Sequence, residues 1–470
     1  MLFPTLNFLI FFLIVLAVAW ALVERDQWRK LFLTAASYVF YGFWDWRFTF
    51  LLLGNTLAIY AVGLWIGAAR TERARKCAAW TGVAVMLVVL GFFKYFEFFV
   101  ASLNELLRSA GLEREIPVFE VILPVGISFF TFQGISYVLD VYHRVIPPTR
   151  SFLDLALFKS FFPQLVAGPI VRAADFMPQL ARKPDVTRLH VSLGLTLIVW
   201  GLFKKSIVAN YLAIDLVDKV FMDPGRYGGL DLLLGVYGYA VQIYCDFSAY
   251  SDIAIGAAML LGYTFPRNFD QPYRAASLSE FWRRWHISLS SWLRDYLYIP
   301  IGGNRKGPVR TYVNLTITML LGGLWHGAAW KFVMWGALHG VGLAVERLAS
   351  GARRISGSVW GPKPLAIVLV FHFVCLGWIF FRARDFASAL DVIRGLFDWR
   401  TPPELATPLS LALIALGLVM HFTPRDLVNR VEALFWRMPA AAMGVACGFA
   451  VALVEAFGLD GAAPFIYFQF

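Results

Sequence analysis

Apolar runs as long as a bilayer is thick constrain this chain more than any other feature. Residues 8–23 and 78–93 contain no charged side chain, and further apolar or aromatic residues extend each run. A helix needs about 20 such residues to cross a hydrocarbon core ~30 Å thick. Hydrophobic residues make up 59% of the 470 and charged ones 16%, against about 45–50% and about 25% in soluble domains. No water-soluble fold hides that much apolar surface, so the bilayer is the solvent.

Further spans are expected at 116–142, 190–208, 230–262, 311–325, 328–348, 365–381, 405–422 and 439–457. At about 20 residues per span, the chain reads as roughly eleven to twelve helices. The fold class is all-α and polytopic. There is no internal repeat and no low-complexity linker, so 1–470 reads as one domain. Ala17-Val18-Ala19 resembles a cleavage site, but no basic residue precedes the first run and another follows at once; a retained first span is expected. Cys77, Cys245, Cys375 and Cys447 form no C-x-x-C pair, so neither a disulfide framework nor a zinc site is indicated.

The formal net charge is +11, which in a soluble protein would suggest nucleic acid. Here the cations sit in short loops between apolar runs, as positive-inside topology requires. Arg25, Arg29 and Lys30 follow the first span and Arg70, Arg73, Arg75 and Lys76 follow the third, whereas Trp44-Asp45-Trp46-Arg47 carries one arginine. The N-terminus is therefore expected on the extracytoplasmic side, and no nucleic-acid partner is expected.

Two segments do not read as ordinary spans. Residues 152–170 are interrupted by Pro163, Gly168 and Pro169. Such backbone survives at membrane depth only where protein or a water-filled cavity satisfies it, so a re-entrant element is expected. Residues 281–300 carry Trp282, Trp285, Leu289, Trp292 and Tyr296 at spacings of 3, 4, 3 and 4, with Arg283 and Arg294 on another face. One amphipathic helix at the interface is expected there. Shorter ones are expected at 386–399 and 425–438.

Ionisable groups inside apolar spans cost several kcal/mol unless paired or facing a cavity, so each is a functional candidate. Asp140, His143, Asp246, Asp252, His286, His326, Lys331, His339, Glu346 and His372 qualify. His326 stands out in Gly323-Leu324-Trp325-His326-Gly327, between apolar stretches. A neutral imidazole there can take a proton from a hydroxyl, a gain of typically 10²–10⁴-fold. The other reading is a histidine bridging helices by hydrogen bonds. His339 would lie about 19 Å from His326 along one straight helix and on a different face; only a sharp bend at the glycines would join them, so a structural role is expected. His286 comes from a separate element and is the better companion, unless it is simply an interfacial histidine.

Asp246 and Asp252, six residues apart, face differently on one helix and are expected to pair structurally, with arginine or across a cavity. Arg305 and Lys306 in Ile301-Gly302-Gly303-Asn304-Arg305-Lys306-Gly307-Pro308 suit the phosphates of coenzyme A or an acidic carrier, or simply set topology. No metal constellation is visible.

The motifs carry a resemblance. Ser160-Phe161-Phe162-Pro163-Gln164-Leu165-Val166-Ala167-Gly168-Pro169-Ile170, Asp246-Phe247-Ser248-Ala249-Tyr250-Ser251-Asp252, Phe281-Trp282-Arg283-Arg284-Trp285-His286 and Gly323-Leu324-Trp325-His326-Gly327 resemble the membrane-bound O-acyltransferases, specifically the bacterial alginate O-acetyltransferase group. The stretch 296–305 and the ending 465–470 look like the same group. The resemblance implies re-entrant and interfacial helices around a central funnel, with His326 near its constriction and His286 as second histidine. Trp325 would shape the constriction, and Asp246, Asp252, Arg283, Arg284 and His339 would support it. It implies acetyl-CoA or another acyl thioester as donor, no metal cofactor, and a polysaccharide as final acceptor. A periplasmic partner of the SGNH-hydrolase type would carry the acetyl group. The setting would be membrane lipid of the bacterial inner membrane. Related members imply alternatives, peptidoglycan acetylation or D-alanyl transfer. From another class, a transporter or channel would line a path with the same polar residues, but no paired halves are visible.

Overall fold

The computed structural model describes residues 1, 3–112, 115–166, 168–185, 190–350, 360–424, 426–458 and 465. Helices and no strands make up the regular structure of the described residues. The chain divides into two compact units, Met1–Leu189 with Ala257–Pro266, and His190–Gly256 with Arg267–Phe470.

The first unit contains α1 (Leu6–Ala21), α2 (Asp26–Gly42), α3 (Arg47–Ala68), α4 (Glu72–Leu90), α5 (Phe96–Ser109), α6 (Ile127–Tyr142), α7 (Phe152–Ser160), α8 (Phe162–Leu165) and α9 (Ala173–Leu180). Starts are set locally: the side chains of Thr5, Thr71 and Ser151 accept the amides of Phe8, Ala74 and Asp154, satisfying donors that a helix leaves open. Phe8, Phe40 and Phe162 form an aromatic core, with centroids 5.5–6.3 Å apart.

The break expected in 152–170 is present, and protein satisfies it. α7 ends at Phe161, and the freed amide of Phe162 donates to Ser37 Oγ at 3.1 Å. Lys159, fully buried, donates to the carbonyl of Phe130. Ala167 of that motif, and 466–470 of the C-terminal ending, lie outside the described residues.

Two expectations change here. The span predicted over 116–142 is helical only as α6, almost entirely buried, because residues 115–124 run without helix, tied by Asn104 to both backbone groups of Ile116. Arg29 and Lys30, counted as topology-setting, are 1% and 4% exposed. Arg29 donates to the carbonyls of Ala19 and Leu261 and to Tyr263 Oη, while Lys30 pairs with Asp26 and Asp154 at 2.8 and 3.0 Å. They hold helices together rather than face water, and Arg25 is the exposed cation of that group.

The second unit contains α10 (Val191–Phe203), followed by π-helical turns and the short α11 (Asn210–Leu212) and α12 (Asp218–Met222). Then come α13 (Gly229–Leu260, its last residues belonging to the first unit), α14 (Leu278–Arg284), α15 (Ile287–Leu293), α16 (Gly307–His326) and α17 (Trp330–Ser350). α18 (Lys363–Arg382), α19 (Phe386–Gly395), α20 (Pro408–Val419), α21 (Leu427–Trp436) and α22 (Ala440–Phe457) complete it. The amphipathic pieces expected at 386–399 and 425–438 correspond to α19 and α21; Arg425 lies outside the described residues.

Among the described residues, four helical stretches are long and apolar enough to cross a membrane: Arg47–Ala68, Glu72–Ser109, Val191–Met222 and Lys363–Arg382. Leu6–Ala21, Pro408–Phe422 and Ala441–Phe457 are apolar but shorter. The sequence reading of eleven or twelve counted apolar runs alone. α13, α16 and α17 have the length, at 32, 20 and 21 residues, but carry polar groups that they bury against protein, such as Asp246, Asn314 and Glu346.

α16 and α17 form a tight hairpin. Gly327 is extended (φ −163°, ψ 151°) and ends α16 at His326. A Cβ on Gly323 would collide with the Phe332 carbonyl and one on Gly336 with that of Met319, so the backbones touch as in small-residue membrane helix pairs.

Candidate active site

The sequence run around His286 does not form the single interfacial helix expected of it. α14 stops at Trp285, and His286 is left-handed (φ 42°, ψ 55°) before α15 begins. Most of the stripe is buried: Trp285 and Leu289 are each 1% exposed and Trp292 6%, while Trp282 and Tyr296 are half-buried. A non-glycine residue in this region costs about 1–3 kcal/mol and persists only where its surroundings over-determine it.

Those surroundings are specific. The Asn268 carbonyl accepts the Ile287 amide at 2.9 Å, and its Oδ1 accepts the amide and hydroxyl of Ser288 at 3.2 and 2.8 Å. Asn268 Nδ2 donates to Ser251 Oγ of α13 at 3.0 Å. On the other side Arg284 donates to the backbone and side chain of Asp270 and pairs with Glu280. Glu346 of α17 fixes the start of α14, accepting the amides of Leu278 and Ser279 at 2.6 and 3.1 Å.

The bend at Gly327 brings three histidines into one aromatic enclosure. His326, 4% exposed, lies 5.0 Å from the Trp325 and Trp335 rings, 5.2 Å from Phe381 and 6.5 Å from His286. His286, fully buried, packs on Phe247 at 4.5 Å and Trp325 at 5.7 Å. The straight-helix premise for His339 does not hold: its ring lies 4.8 Å from Trp335, the residue that also packs on His326. His339 is fully buried among Phe281, Trp282, Trp335 and Phe373. Gly377 makes room for it, since a Cβ there would stand 3.1 Å from His339 Nε2.

Both ring nitrogens of His286 and of His339 have no hydrogen-bond partner among the described residues. A buried polar atom without a partner costs about 1–3 kcal/mol. These imidazoles are therefore expensive as packing material and available as donors or acceptors.

The remaining candidates separate into roles. Asp246 pairs with Lys205 at 2.8 Å, both side chains 3% exposed, and Asp252 pairs with Lys204 at 2.6 Å. The partners are consecutive lysines on a π-helical turn, not arginines. Arg284 braces the His286 kink, whereas Arg283 is exposed. Arg305 and Lys306 are exposed in the loop before α16, about 30 Å of helix from His326. Lys331 donates to the Ala383 carbonyl at 2.7 Å, and His372 meets Tyr237 at an exposed position. Among the described residues, no group of three potential metal ligands stands together.

Sequence reading missed Lys204, Lys205, Asn268 and His421. The lysines lie inside an expected span, a signal as strong as the aspartates'. His421, fully buried with its ring tilted against Tyr244 at 4.2 Å, lies at the end of an apolar run. Asn268 sits in a loop without any local signal.

An enclosed histidine pair beside the turn of the α16–α17 hairpin suits proton transfer shielded from water. Residues 144–389 match MBOAT, the membrane-bound O-acyltransferase family. The chain belongs to this family. It is 43% identical to a probable alginate O-acetylase AlgI of Azotobacter vinelandii, over 88% of this chain and 83% of that protein. It is 40% identical to the Pseudomonas putida protein of the same description, over 95% and 96%. A peptidoglycan O-acetyltransferase of Helicobacter pylori is 38% identical over 80% and 75%. As a membrane-bound O-acyltransferase the chain uses an acyl donor and is a multi-pass membrane enzyme. Membership in this family decides for chemistry over permeation.

Proposed function

We propose that this enzyme moves acetyl from a cytoplasmic thioester, acetyl-CoA or a carrier, to an extracytoplasmic acceptor, for O-acetylation of alginate or a similar exopolysaccharide. His326 acts as general base and His286 orients or polarises the acceptor. The observation that carries the assignment is the pair of buried imidazoles 6.5 Å apart between ring centroids, in a chain 40–43% identical to probable alginate O-acetylases. At that spacing one hydroxyl can hydrogen-bond to both rings, one nitrogen taking its proton while the other holds its oxygen.

Trp325 and Trp335 flank His326 and exclude water, so that the thioester is not hydrolysed before the acceptor arrives. The acceptor is a hydroxyl: its oxygen bonds to the acyl carbon, the carbon–sulfur bond breaks, and the proton held by His326 returns to the thiolate. An exported partner of the SGNH-hydrolase type, with a serine as that hydroxyl, fits the extracytoplasmic step. The N-terminus lies outside and the membrane is the bacterial inner one, in keeping with the cations at 70–76.

The test is the acetyl content of exopolysaccharide from cells expressing His326→Ala at wild-type level. A fall of about 10²-fold or more is expected; wild-type acetylation would remove the role given to His326. If alginate is unchanged and peptidoglycan loses acetyl in a strain lacking the enzyme, the acceptor reading is replaced by that of the Helicobacter pylori relative.

A further inference from the structure

His339 is not alone in lacking partners. The indole Nε1 atoms of Trp335 and Trp282 are buried too, and neither has a hydrogen-bond partner among the described residues. The three rings form one cluster: Trp335 lies 4.8 Å from His339, Trp282 lies 5.1 Å from His339, and the two indoles are 5.6 Å apart. The nitrogens of His339 and Trp335 converge on Gly377 of α18, where a Cβ would stand 3.1 Å from His339 Nε2 and 3.5 Å from Trp335 Nε1. Trp335 is also the ring that packs on His326 at 5.0 Å, so the cluster adjoins the base directly.

The chemistry of these atoms is one-sided. An indole Nε1 only donates, and a neutral imidazole carries one donor and one acceptor. The cluster therefore holds three N–H donors against a single acceptor, and the neighbouring rings of Phe281 and Phe373 add none. A buried donor without a partner is expensive, and phenylalanine would fill the same space without that cost. What suits the cluster is a ligand atom that accepts. A water brings donors of its own, whereas a carbonyl oxygen brings two lone pairs and no donor.

We propose that the N–H groups of Trp335, His339 and Trp282 bind the carbonyl oxygen of the acyl group during transfer. The acceptor oxygen bonds to the acyl carbon and an electron pair moves onto the carbonyl oxygen. The donors hold that negative charge until the pair returns, the carbon–sulfur bond breaks and the thiolate takes the proton from His326. Donors fixed in advance in a site without water are worth about 10²–10³-fold in rate. Trp282 stands four residues before His286, so seating the kinked turn completes the donor set as well as the histidine pair. The inference rests on the reading of His326 as base.

Labelled acetate is fed to cells expressing each variant of the full chain at wild-type level, and the initial rate of acetyl incorporation into exopolysaccharide and peptidoglycan is measured. Trp335 replaced by benzothienylalanine keeps its bicyclic ring, with sulfur where the N–H stood, and should fall about 10²-fold while melting like the wild type. A ring-fluorinated tryptophan at the same position keeps the N–H and should transfer like the wild type. Trp282→Phe should fall in the same direction as the sulfur variant. Wild-type rates in the sulfur variant and Trp282→Phe, with His326→Ala inactive, overturn this inference and leave the base in place. So does a loss that only follows the amount of folded protein. Wild-type incorporation by His326→Ala removes the base and this inference together.

Discussion

His286 adopts a backbone that alanine resists, and its neighbours show what holds it there. Asparagine tolerates the left-handed region and keeps a hydrogen-bonding side chain. His286→Asn should therefore exceed His286→Ala in both folded yield and acetyl transfer, with alanine down about 10²-fold. Equal defects in the two would mean that neither backbone nor hydrogen bond matters. His339 calls for a different replacement. His339→Phe keeps an aromatic ring and removes two buried atoms that lack partners among the described residues. Thermal stability in detergent should hold or rise by about 1 kcal/mol, while transfer falls; unchanged transfer would return His339 to a packing role. The sequence marked both residues by their apolar surroundings. It could not reveal their proximity, because the bend at Gly327 and the bonds from Asn268 are tertiary.

The 3, 4, 3, 4 spacing of aromatics correctly announced helical structure in 281–300, but amphipathicity does not distinguish a helix facing lipid headgroups from one buried in protein. Nor could it place the break, which depends on a residue eighteen positions upstream. The ion pairs were closer to legible. Two aspartates and two lysines inside apolar runs must find each other or a cavity, and here Lys204 meets Asp252 and Lys205 meets Asp246. A buried pair is weak evidence of stability, yet breaking one side is costly. Lys205→Met alone should lose about 3–5 kcal/mol and most folded protein, whereas Lys205→Met with Asp246→Leu should recover much of it. Yield by fluorescence-detected gel filtration checks this; equal loss in single and double variants would assign Asp246 a second task.

For the whole molecule, all-α and polytopic architecture was readable from run length and composition. Which polar groups of α13, α16 and α17 are buried against protein depends on packing and was not readable. Topology is testable without altering the site. Cys77 is exposed beside the cations at 70–76, while Cys245 and Cys375 are buried. In a Cys447→Ser background, a membrane-impermeant maleimide should label inverted vesicles and spare intact cells; the reverse would invert the orientation. The backbone contact between α16 and α17 has a mechanical consequence. His326, Trp335 and His339 ride on two rods in direct touch and form an unyielding jaw. His286 hangs on a turn kept in place by an asparagine, so substrates that need room in this enclosure must obtain it from the His286 side.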